Sequence, residues 1–120
     1  AHAPDAVVAG ALGRLARPTP YTVIDRGRLL AQLAQVRERG FARTEEEMSL
    51  GACSVAVPVR DASGVVCAAL GIVVPSLRRG APSLIAALQV ASAGVTRQWS
   101  QGRTLSSSNH RVPVPAAAGE

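Results

Sequence analysis

Lysine is absent from this 120-residue chain, and aromatic side chains are nearly so, with one Tyr, one Phe and one Trp. All thirteen basic residues are arginine, and they set a net charge of +5. Arginine in excess would suit a phosphate-binding face. Here, however, Arg14, Arg17, Arg37, Arg39, Arg78 and Arg79 are scattered over expected helix ends and turns. They form no basic stripe and have no aromatics between them, which argues against a nucleic-acid surface in this segment. Arginine without lysine, beside so much Ala, Gly and Val, is better explained by GC-rich coding. With so few rings, the core must be built from Ala, Val and Leu.

Long apolar runs are missing too. None approaches the roughly 20 residues of a membrane-spanning helix, and the N-terminus lacks the charged start and apolar block of a signal peptide. A soluble, cytoplasmic chain with no membrane partner is expected. Cysteine is scarce: Cys53 and Cys67 both fall in expected strands. A disulfide between them is conceivable, but such cysteines are more often buried thiols of an intracellular protein. There is no CxxC spacing, and His2 and His110 sit near the two ends. Neither a metal site nor a cofactor is expected.

What the chain does contain divides into helix, helix, hairpin, helix and tail. Val7, Val8, Ala11, Leu12 and Leu15 keep helical spacing within residues 4–16, with Pro4-Asp5 as the start. Pro18 and Pro20 end that helix and hold the following residues extended. Asp25 is a good N-cap for a second helix with the stripe Leu29, Leu30, Leu33 and Val36, closed by Gly40 as a left-handed residue. Phe41-Ala42-Arg43 suits a short strand. Three adjacent carboxylates follow, Glu45, Glu46 and Glu47. Adjacent acids can tune one another for acid–base work, but three in a row cannot share one face, and a solvated turn capped by Thr44 is the plainer reading.

Two apolar strands then flank the tight turn Asp61-Ala62-Ser63-Gly64. Pairing closed directly on that turn sets Arg60 opposite Val65, Ala56 opposite Ala69 and Ser54 opposite Gly71. Side chains alternate across a strand, so one face carries Cys53, Val55, Val57, Val59, Val66, Ala68, Leu70 and Ile72. The other carries Ser54, Ala56, Pro58, Cys67, Ala69, Gly71 and Val73. The first is a core face. The second is shallow, with room for either a closely packed helix or a small molecule. Pro82-Ser83 opens a long helix in which Leu84, Leu88, Ala91, Val95 and Trp99 keep helical spacing to about Gly102. The last residues, rich in Ser, Pro and Ala, read as a disordered tail over 105–120.

The ordered set of short motifs resembles one family. Thr19-Pro20-Tyr21-Thr22, Arg37-Glu38-Arg39-Gly40-Phe41, Glu46-Glu47, Leu50-Gly51, Pro58-Val59-Arg60-Asp61 and Ala68-Ala69-Leu70-Gly71-Ile72 occur in the order found in IclR-type bacterial transcription regulators. The stretch involved, about residues 4 to 102, is similar to the later part of their effector-binding domain. The resemblance implies an α/β (α+β) fold in which a GAF-like antiparallel sheet is flanked by helices. It is expected here as a partial domain over residues 1–104. It also implies a small-molecule effector, assembly into a dimer or tetramer, and DNA contact only through an N-terminal winged helix-turn-helix. That unit and the first strands of the domain are expected upstream of Ala1.

Carried over by position, the family's pocket falls at Thr44, Ser54, Gly71 and Val73. Ala56 and Ala69 complete the shallow patch. Where relatives that hold small oxo-acids resemble one another in carrying hydroxyls, this chain has Gly71 and Val73, and Thr44 replaces an Asp-like group. An aromatic or bulky organic acid is the effector this implies. The alternatives are an assembly module of the same family without a ligand pocket, or an enzyme using Cys53 or Cys67 as nucleophile and a glutamate of 45–47 as base. The enzyme reading lacks a histidine in the body of the chain and a Gly-rich oxyanion elbow. No catalytic residue is assigned.

Overall fold

A computed structural model describes residues 1–107. Its elements in chain order are α1 (Asp5–Leu12), α2 (Arg26–Arg39), β1 (Ala42–Glu45), β2 (Cys53–Arg60), β3 (Val66–Val74) and α3 (Ala81–Ser107). The fold is α+β, three helices with one antiparallel sheet of strand order β1-β2-β3. Residues 108–120, most of the segment expected to be a disordered tail, lie outside the described residues.

Local chemistry fixes the element ends. The Asp25 carboxylate accepts from the Arg28 N–H at 2.7 Å, as an N-cap should. Gly40, at φ +77°, ends α2 in the left-handed conformation, and its N–H returns to the Val36 carbonyl. α1 stops at Leu12, four residues short of expectation, and buries no residue. β1 is displaced relative to expectation and includes Thr44 and Glu45. Thr44 is therefore a strand residue, not the cap of an acidic turn. The chain reverses only at Glu46, whose φ of +54° is left-handed.

The hairpin turn closes as expected, with the Gly64 N–H donating to the Asp61 carbonyl at 3.0 Å. The register does not. Ser54 faces Val73, Ala56 faces Gly71 and Pro58 faces Ala69, a shift of two residues from turn-closed pairing. Two single steps add up to this shift. The turn is sealed by Asp61 and Val65 instead of Arg60 and Val65, and Cys67 is an extra, unpaired residue between the pairs Arg60–Val66 and Val59–Ala68. Because the sum is even, the two faces of the hairpin body survive. Only Val66 changes sides, to that of Arg60. The bulge also exposes Cys67, contrary to the buried thiol expected; Cys53 is buried, and both are free.

The core lies on the bulky face, where Cys53, Val55, Val57 and Val59 are all buried. Val74, Ala81, Leu84, Ile85 and Leu88 pack against Cys53, Val55 and Leu77. α3 thus covers the face that carries the valines. Its inward stripe differs from the expected one beyond Leu88: Ser92 is buried, while Val95 and Trp99 are 42% and 49% exposed. The reason is at the edge of β2. β1 pairs with β2 only as far as Ala56, so the β2 edge beyond it has no strand partner. The Ser92 hydroxyl donates to the Pro58 carbonyl and the Thr96 hydroxyl to the Arg60 carbonyl, each at 2.8 Å. Two hydroxyls one helical turn apart thereby satisfy backbone groups two residues apart on a strand.

Candidate functional site

The shallow face is assembled from all three strands in rows. Thr44, Ser54 and Val73 form one row, and Ala42, Ala56 and Gly71 the next. Pro58 and Ala69 form a third. All six residues assigned from the sequence, Thr44, Ser54, Ala56, Ala69, Gly71 and Val73, therefore share one side of the sheet. α3 is packed on the opposite side. Ser54 and Gly71 are diagonal neighbours here, not a facing pair.

The hydroxyls of Thr44 and Ser54 meet at 2.7 Å, and either can be the donor. Two hydroxyls hold two protons, and this bond uses one. The other has no acceptor among the described residues. The pair can thus still donate one hydrogen bond and accept several, on an otherwise apolar surface. It suits the end of a ligand bearing a carboxylate or a phenol.

Two hollows lie beside the rows. One, of about 450 Å³, is floored by Ala42, Ala56, Pro58 and Ala69 and walled by Leu33 and Val36 of α2 and by Ala1 to Pro4. The second, of about 350 Å³, runs between Leu29, Leu33 and Val36 of α2 and the β1 residues Ala42 and Thr44. The apolar stripe of α2 therefore overhangs the shallow face and leaves ligand-sized space on either side. Leu30, expected in that stripe, is instead 44% exposed. Ser54, Gly71 and Val73 line neither hollow; Val73 is 69% exposed.

Gly71 is held closely against β2. A Cβ built on it would lie 3.0 Å from the Val55 carbonyl oxygen and 3.2 Å from the Ala56 Cβ. Its bareness serves strand packing. Sequence reasoning missed the wall supplied by α2 and Ala1 to Pro4, since nothing in spacing alone brings those segments over the sheet. His2 stands in this wall. Its pKa is lowered, first by burial and then by Arg60, the N-terminal amino group and Arg37. Among the described residues, no three His, Cys, Asp or Glu side chains gather as metal ligands, and no helix is long and apolar enough to cross a membrane.

Comparison with known proteins bears on the same region. Residues 1–97 match the family described as bacterial transcriptional regulator IclR, C-terminal. The HTH-type transcriptional regulator KdgR of Escherichia coli K12 is 45% identical over 62 residues, covering 52% of this chain and 24% of KdgR. The crystal structure of the C-terminal domain of E. coli KdgR superposes with a TM-score of 0.71 at 35% identity, covering 80% of this chain and 61% of that one. An IclR homologue from Microbacterium hydrocarbonoxydans, in complex with 4-hydroxybenzoate, gives a TM-score of 0.73 at 32% identity over 80% of this chain and 40% of that one. The matched stretch thus spans about a quarter of KdgR's length. The chain belongs to the IclR family of bacterial transcriptional regulators, and what it carries is their C-terminal domain region.

Proposed function

We propose that this chain is the effector-sensing and oligomerising part of a transcription regulator, and that it binds a small aromatic or bulky organic acid on the shallow face of its sheet. The ligand's apolar body lies over Ala56 and Ala69 beneath Leu33 and Val36, and its polar end meets Thr44 and Ser54. Gly71 and Val73 shape the far side of the patch. The observation that carries this reading is the Thr44–Ser54 hydroxyl pair with its unspent proton, set on a sheet face that α3 leaves uncovered. Homologues of this chain are regulators, not enzymes, and one is known in complex with 4-hydroxybenzoate. Binding without turnover is therefore the expected output. The effector acts on the regulator by favouring one assembled state over another. DNA contact belongs to a separate helix-turn-helix unit, and the assembly is a cytoplasmic dimer or tetramer.

A thermal-shift screen of 4-hydroxybenzoate, 3-hydroxybenzoate and aliphatic acids tests this. A ligand at a hundred times its dissociation constant adds about 2.7 kcal/mol. Ala69→Leu, which fills the floor of the larger hollow, should abolish the shift and leave the unliganded protein folded. Absence of any shift across the screen sinks the proposal. Gly71→Leu is the weaker probe, because its Cβ alone already presses on Val55 and Ala56. That same contact favours the second reading, an assembly module of the family with no working pocket, in which the small residues serve strand packing only.

A further inference from the structure

Among the described residues, Thr19 is one of two buried polar residues, at 6% exposure. It lies between Pro18 and Pro20 in the link from α1 to α2. Its hydroxyl donates at 2.6 Å to the carbonyl of Glu46, and the hydroxyl of Thr22 donates at 2.6 Å to the carbonyl of Glu47. The two donors are prearranged. The Thr19 N–H donates to the Thr22 hydroxyl oxygen at 3.1 Å, and the Tyr21 N–H to the Thr19 hydroxyl oxygen at 3.2 Å. Arg17 donates to the Pro20 carbonyl at 2.9 Å, and proline fixes φ at positions 18 and 20. The strap is therefore stiff, and it aims two hydroxyls at two consecutive carbonyls.

Those carbonyls sit at a strained reversal of the chain. Glu46 has φ +54° without being glycine, a conformation that persists only when its surroundings enforce it. It ends β1, and its N–H donates to the Ala52 carbonyl at 2.9 Å across the base of the loop over residues 46–52. Two residues earlier stands Thr44, whose hydroxyl meets Ser54.

We propose that Thr19 and Thr22 are positioning residues of the effector site, clamping the turned Glu46–Glu47 backbone so that β1 holds Thr44 against Ser54. This rests on the effector reading above for its consequence in binding, but the clamp itself is a property of the unliganded chain. It also makes the α1–α2 link a part of the site.

Two measurements on this chain test it. The first needs no ligand: amide hydrogen exchange over residues 46–52 and the Thr44 methyl resonance, in the wild type, Thr19→Val, Thr22→Val and Thr19→Ser. Thr19→Val should speed exchange over that loop by about tenfold or more and shift the Thr44 methyl, and Thr19→Ser should restore both. The second is calorimetric affinity for 4-hydroxybenzoate, measured well below each variant's melting temperature. Thr19→Val should weaken it roughly fivefold or more, and the loss should vanish in a Ser54→Ala background, since both changes act through one hydroxyl pair. Unchanged loop exchange in Thr19→Val overturns the clamp, as does a loss of affinity that simply adds to that of Ser54→Ala. If the wild type takes up no 4-hydroxybenzoate, it is the effector reading that has lost support, and loop exchange with the Thr44 methyl still decides whether the clamp exists.

Discussion

Val55 is 1% exposed and sits on β2 where that strand has partners on both sides, Arg43 on one and Ile72 on the other. Its side chain touches the packing surface supplied by α3 and Leu77. Val55→Ala removes two methyl groups from a site that cannot collapse easily, because the strands on both sides hold the backbone. A loss of about 2–3 kcal/mol is expected from chemical denaturation. Val73→Ala, at an exposed position, should cost well under 1 kcal/mol. The same contrast separates core from candidate site: the valines of one face carry stability, and the small residues of the other leave space. A second residue-scale prediction concerns His2, whose pKa in the folded chain lies below its ordinary 6.5 because burial and the Arg60 charge disfavour the imidazolium. A group with a lowered folded pKa is held neutral by the fold. Its contribution is therefore present above pH 6.5 and declines as pH falls from there through the folded value. The imidazole titration followed by NMR should have its midpoint below 6.5, and Arg60→Gln should raise it. A midpoint at or above 6.5 in the native chain contradicts the partial desolvation and positive surroundings of His2.

At the scale of elements, the edge of β2 beyond Ala56 is the feature most open to test. Ser92 is 7% exposed, so Ser92→Ala leaves the Pro58 carbonyl with neither strand nor hydroxyl and should destabilise by about 1–3 kcal/mol. Thr96→Val, nearer solvent, should cost less, roughly 0.5–1 kcal/mol. Equal small losses at both positions would mean that water replaces the helix hydroxyls. This edge also explains where reading the sequence succeeded and where it stopped. Asp25 and Gly40 announced the ends of α2 because capping is local chemistry, written in one or two residues. The two faces of the hairpin were legible because alternation is set by the pleat, whatever the register. The register was not legible, since the bulge at Cys67 leaves alternation in the strand body intact and no residue near it demands a bulge. The inward turn of Ser92 and Thr96 was not legible either, because their partners are carbonyls 34 and 36 residues away. The Thr19 clamp escaped for the same reason: its partner lies 27 residues along the chain, in a loop whose left-handed Glu46 has no glycine to mark it.

For the whole molecule, the decisive quantity is how little is covered. Among the described residues five hydrophobics are buried, Cys53, Val55, Val57, Val59 and Leu77, while Val7, Tyr21, Leu50, Val65, Val73, Val90 and Trp99 are each about half exposed or more. α1 buries none of its residues. β3 lies at the edge of the sheet, and its nine residues, Val66–Val74, include no charge and no proline. Apart from the bulge at Cys67 near its start, such an edge carries none of the devices that block pairing with another strand. Burial this sparse sets little against the entropy of ordering the backbone, roughly 1–2 kcal/mol per residue. The chain alone should therefore owe part of its stability to association, as the oligomeric reading requires. Mass action then makes stability depend on concentration. The melting temperature should rise over an approximately fortyfold increase in protein concentration, in step with a rise in sedimentation coefficient. Cys67→Lys, which puts a charge on the exposed bulge of the open edge, should lower both responses without disturbing Val55 and its neighbours. A sharp melting transition that is independent of concentration, with a monomer throughout, would show that this small core suffices by itself and would remove the physical ground for assembly through β3.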